Sequence, residues 1–60
     1  MDRTDWVLVF CEELRRLRPL LTLRAAWTIA LGAYADGIDD PVVAARLCHR
    51  ELGNPPSGAN

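Results

Sequence analysis

Proline and glycine punctuate this chain at three places: Pro19, the stretch Gly37-Ile38-Asp39-Asp40-Pro41, and Gly53 with Pro55-Pro56. A proline inside a helix removes a hydrogen bond and clashes with the preceding turn, and glycine is the usual left-handed residue just past a helix end. Between the breaks, apolar residues recur at three- and four-residue steps, without the alternation of a half-buried strand. The spacing predicts an all-α fold of three short helices, about 5–18, 23–36 and 41–52, in one domain over 1–53. Residues 54–60 hold no large apolar side chain and are expected to form a disordered tail. Short links favour a compact three-helix arrangement, or a helical hairpin with the third helix across it.

Each helix carries its own boundary signals. Thr4 is a good N-cap for the first helix, Asp2 is an earlier candidate, and Asp5 places negative charge at the positive end of the dipole. Val7, Phe10, Leu14 and Leu17 make its apolar stripe, and Glu12 stands four residues before Arg16 as an ion pair. Arg15, Arg16 and Arg18 suit its carbonyl end, and Pro19 stops it. Thr22 caps the second helix, and Gly37 with Ile38 reads as a Schellman ending. Leu23, Trp27, Leu31 and Tyr34 form one arc of large side chains on that helix, beside a strip of Ala26, Ala30 and Ala33. A helix apolar over so much of its circumference is expected to be the central one. Asp40 before Pro41 is the strongest start signal in the chain. Ala44, Ala45, Cys48 and Leu52 then give the third helix its apolar face, widened by Val43 and Leu47.

Sixty residues bury only roughly 60% of the surface the unfolded chain exposes, so the fold alone is marginal. Small natural domains add disulfides, a metal or a partner subunit. Cys11 and Cys48 lack a CxxC spacing, and the start Met-Asp-Arg-Thr-Asp is no signal peptide. A reduced, cytoplasmic protein with two free thiols is the expectation. The stretch from Leu20 to Ala35, interrupted by Arg24, is too short for a membrane span, so no membrane association is expected.

A partner subunit is therefore the expected supplement. Trp6-Val7-Leu8-Val9-Phe10-Cys11 is apolar all the way round a helix, more than one neighbour can cover. At least Leu8 or Val9, with Trp6 beside them, is expected to stay partly wet, and contiguous exposed apolar surface marks a partner site. The expectation is a homo-oligomer, most simply a twofold dimer built on helices one and two, that also binds a protein partner. Trp6, Leu8, Val9, Phe10, Trp27, Leu31 and Tyr34 are the interface candidates, and Leu14 joins the aromatic residues in the core.

Catalytic chemistry finds no foothold. The only serine is Ser57 in the tail, and Cys48 and His49 are adjacent helical residues that diverge by about 100°. Cys11, Cys48 and His49 make three candidate zinc ligands without a loop motif, and no glycine-rich phosphate loop exists. Glu12-Glu13 and Asp39-Asp40 are neighbours on a solvated face and at a cap. The expectation is no enzyme, no cofactor and no metal.

Net charge is −1 with a pI near 5.6, which points away from nucleic acid, although all seven basic residues are arginine. One resemblance supplies the alternative. Ala33-Tyr-Ala-Asp-Gly37-Ile38, followed by Val43, resembles the alanine–glycine–apolar spacing at the turn of helix-turn-helix domains over about 20 residues. It implies a dimeric DNA-binding protein whose third helix presents Arg46, His49 and Arg50. The sequence departs from the pattern where Arg46 replaces a later apolar residue, and Asp36, Asp39 and Asp40 crowd the start of that helix.

Overall fold

The computed structural model describes residues 2–53, which form three helices and no strand. They are α1 (Arg3–Leu17), α2 (Leu23–Ala35) and α3 (Pro41–Leu52). The expected tail at 54–60 lies outside the described residues.

The helix ends follow local chemistry, with one shift. Helix α1 starts at Arg3 with Asp2 as its N-cap residue, two residues before the expected start at Asp5. The Trp6 N–H then bonds the Asp2 carbonyl at 2.9 Å, so the extra half-turn brings Trp6 into regular helix. At the other end Arg18 already has a non-helical backbone, as Pro19 requires, and the helix closes at Leu17. Thr22 accepts from the Ala25 N–H at 3.1 Å, and Asp40 accepts from the Val42 N–H at 2.9 Å, with Pro41 opening α3. Helix α2 ends at Ala35, with Asp36 as its cap. Gly37 takes φ 82° and donates to the Tyr34 carbonyl at 3.1 Å, one of the two bonds of a Schellman ending. Ile38 lies half-buried against the core.

The centre of the fold is α1, not α2. Helix α1 packs along both other helices, whereas α2 and α3 barely touch. Trp6, Val7, Phe10, Cys11 and Leu14 are buried on α1, and Trp6 is only 3% exposed, so the expectation that it stays partly wet is overturned. The apolar run around α1 is covered because it has two neighbours on different sides. Only Leu8 in that run is exposed, and Val9 is half-buried.

Helix α2 is turned by about a quarter from its expected orientation. Ala26, Ala30 and Ala33 face the core, while Leu23, Leu31 and Tyr34 are exposed and Trp27 is half-buried. Small side chains let a helix backbone approach its neighbour closely, and the large side chains of α1 fill the space between them. On α3, Pro41, Ala44 and Ala45 are buried and Cys48 is half-buried. Val43, Leu47 and Leu52, expected to extend that face, are exposed.

Three contacts set the helix directions. Trp6 Nε1 donates to the Asp39 carbonyl at 3.0 Å, Glu13 meets Arg46 at 3.3 Å, and Arg18 Nη1 lies 3.4 Å from His49 Nδ1. Partner numbers rise together along both helices, so α1 and α3 run parallel. Arg15 Nε donates to the Leu21 carbonyl at 3.2 Å, while Trp6 and Tyr34 meet edge-to-face with ring centroids 5.3 Å apart. Helix α2 therefore runs antiparallel to α1. No helix among the described residues is long and apolar enough to cross a membrane.

Candidate interaction surface

The rotation of α2 leaves a strip of apolar side chains on the α1–α2 side of the molecule. Leu8 is 49% exposed and Leu23 51%, and both line one open groove of about 370 Å³ with Val9, Cys11, Glu12 and Arg15. Leu23 also lines a second groove with Arg24, Trp27 and Thr28. Leu31, 42% exposed, follows Trp27 by one helical turn. Leu23 is common to both grooves and so links Leu8 on α1 to Trp27 on α2, with Glu12, Arg15, Arg24 and Thr28 among the lining residues.

The candidates from sequence do not share one surface. Trp6 and Phe10 belong to the core, where their rings stack at 5.5 Å and an interplanar angle of 16°. Leu8, Trp27 and Leu31 lie on the strip. Half-buried Val9 lines both the Leu8–Leu23 groove and one toward α3 with Val42, Glu12, Glu13 and Arg16, and Tyr34 lines a groove with Trp6, Gly37, Ile38 and Asp39. Leu23 lies outside the set expected from sequence, although it shares the arc of Trp27, Leu31 and Tyr34. The alanine strip beside it was the available signal, since a row of small residues marks the face of closest approach.

Charge is divided along the bundle. Helix α1 and α3 begin at the same end, where α2 finishes, so all five aspartates (Asp2, Asp5, Asp36, Asp39 and Asp40) gather in one half with Arg3. The other half holds the remaining six arginines and all three glutamates. The halves carry formal charges of −4 and +3, which together make the −1 of the chain. The division suits α1 and α3, whose N-termini lie among the carboxylates and whose C-termini lie among the guanidiniums.

Of the nucleic-acid candidates on α3, Arg46 and His49 each make one contact within the fold, although Arg46 stays mostly exposed. Glu13 receives Arg16 at 2.7 Å and Arg46 at 3.3 Å, and the two guanidiniums hold its carboxyl below the usual carboxylate range, with Arg16 the larger cause. Arg16 thus pairs with Glu13 rather than with Glu12. His49 is half-buried against Arg18 rather than on an open polar arc, and Arg50 is exposed. A guanidinium only donates, so this contact uses Nδ1 as an acceptor.

The thiols are free and unactivated. Burial pushes Cys11 up from the usual thiol range, against a smaller opposing pull from Arg15. Burial also raises Cys48, with Glu51 and Asp36 adding to it. A raised thiol carries little of the nucleophilic thiolate at neutral pH. Among the described residues, no three histidine, cysteine or acidic side chains are placed to hold a metal ion. Comparison of the chain with protein-family models, curated proteins and solved structures finds no match.

Proposed function

We propose that the chain is a helical protein-interaction module that self-associates through the α1–α2 strip and, in that form, binds a protein partner. The observation that carries this reading is the exposure of Leu8, Leu23 and Leu31 around the half-buried Trp27. Large apolar side chains lining neighbouring grooves are costly to leave in water and suited to a partner. A standard interface takes roughly 800 Å² from each partner, under a fifth of the 4250 Å² that this chain exposes. The module acts without catalysis, cofactor or metal, and its free thiols suit a reducing compartment such as the cytoplasm. Sedimentation equilibrium at tens of micromolar (a range that reads micromolar affinities) tests the self-association. A dimer or higher oligomer is expected, and a strict monomer overturns the reading.

The second reading is DNA binding, favoured by the gathering of six arginines in one half of the molecule. Engagement of Arg46 by Glu13 makes it the weaker of the two. Generic duplex DNA at low salt is the test, because phosphate attraction is strongest there. Absence of binding under those conditions removes this alternative.

A further inference from the structure

We propose that the partner covering the α1–α2 strip is a second copy of this chain laid antiparallel, with the acidic half of each molecule beside the basic half of the other. This rests on the self-association proposed above and adds the orientation of the pair.

Two features of the surface support it together. The apolar strip lies on the flank of the bundle, along its helices, rather than at an end. Charge is divided lengthwise along those same helices, −4 in one half and +3 in the other. A twofold pair joined by this flank has two orientations. In the parallel one, −4 lies beside −4 and +3 beside +3. In the antiparallel one, each −4 lies beside a +3, twice over.

Facing groups at the edge of an interface come within about a Debye length, roughly 8 Å at physiological ionic strength, so the difference survives screening. The apolar contact has no direction of its own, and the charges therefore choose between the two orientations.

The border of the strip is built consistently with this choice. Asp5 precedes Leu8 by about one turn on α1, while Arg15, with Glu12 midway along α1, and Arg24 line the grooves on either side of Leu23. Antiparallel pairing lets Asp5 approach the partner's Arg15 and Arg24. Parallel pairing sets each of these groups near its own like-charged copy. Like charges placed directly opposite each other oppose association.

The test is photo-crosslinking of the full chain in solution, with p-benzoylphenylalanine replacing Ala35 in one variant and Arg24 in another. Both positions are exposed on α2, Ala35 in the acidic half and Arg24 in the basic half. The expected result is a covalent dimer in which the Ala35 probe is joined to residues 15–24 of the other copy. The Arg24 probe is expected on residues 2–8 or 31–40. Capture of residues 31–40 by the Ala35 probe overturns the antiparallel arrangement and leaves self-association standing. A dimer by sedimentation that neither probe captures also overturns it. A monomer by sedimentation removes the self-association itself.

The sign of the salt dependence is an independent readout. Between about 20 and 300 mM sodium chloride the dimer dissociation constant is expected to rise on the order of threefold, because screening weakens attraction. A fall over that range indicates like charges in apposition and overturns the proposal. Oligomers that lengthen with concentration indicate head-to-tail stacking through the ends, and overturn it too.

Discussion

The indole N–H of Trp6 donates to the backbone carbonyl of Asp39 over 3.0 Å, tying the first turn of α1 to the connection that leads into α3. The same ring stacks on Phe10 and receives Tyr34 at its edge. One side chain thus joins all three helices at the acidic end. Trp6→Phe keeps most of the apolar contact but removes the donor. It is expected to lower unfolding free energy by about 0.5–1.5 kcal/mol, the net worth of one hydrogen bond whose acceptor, on exposed Asp39, can turn to water. Urea unfolding followed by far-UV circular dichroism reads the loss, and an unchanged midpoint contradicts the clamp.

Close approach of α2 depends on alanine. Ala30 is fully buried in the core formed with the large side chains of α1, and a larger side chain there must displace them. Ala30→Leu adds apolar atoms yet is expected to destabilise the fold by about 1–3 kcal/mol through overpacking. A stabilised variant in thermal unfolding would show that the α2 face has been misassigned.

Two glycines are expected to respond in opposite directions to the same substitution. Gly32 lies in the exposed interior of α2, and an added Cβ meets nothing within 4 Å. Gly32→Ala should therefore stabilise by about 0.5–1 kcal/mol. Gly37 has φ 82°, where a side chain is strained, and Gly37→Ala should destabilise by about 1 kcal/mol or more. Chemical denaturation of the pair gives both signs in one experiment.

Self-association and folding are separable at the strip. Leu8→Lys and Leu23→Lys alter half-exposed positions, so helicity should be unchanged in circular dichroism. The dissociation constant of the oligomer should rise about tenfold or more in each, the effect of losing at least about 1.4 kcal/mol at an interface. Variants that associate as tightly as the parent protein place the interface elsewhere.

Glu13 gives the fold an acid-sensitive contact between α1 and α3. Its carboxyl is held low by Arg16 and Arg46, so the folded state releases its proton more readily than the unfolded one. That contribution is present above the unfolded carboxylate value and is lost as pH falls through the lower folded value. Glu13→Gln should flatten the decline in stability on acidification. A pH profile identical to that of the parent protein shows that the pairs contribute nothing measurable, as many exposed ion pairs do.

The ends of the helices were legible because capping is decided within a few residues. Thr22, Gly37, Asp40 with Pro41, and Pro19 each act where the spacing indicated. The start of α1 differed because Asp2 and Thr4 are both competent caps, and their local chemistry does not rank them. Propagation to Arg3 places Trp6 where its ring reaches Asp39, and that partner lies 33 residues away. The surface was legible in part. Leu8 stood out because no single neighbour covers a helix that is apolar all round, but Leu23 did not, since a large leucine beside a tryptophan reads as core.

Three helices, their caps and turns, and an excess of apolar side chains over what so short a chain can hide are all readable along the chain. That α1 is central, that α2 offers its alanines inward, and that α1 and α3 run parallel follow from packing. Caps and turns depend on hydrogen bonds that close within one turn. The buried face depends on how closely two backbones can approach, which neither helix specifies alone. The parallel course of α1 and α3, with α2 reversed, gathers aspartates from the N-terminus and the middle of the chain into one half, and arginines from three helices into the other. Acidic and basic residues alternate in blocks along the chain, and which helix ends meet decides that like blocks share one end.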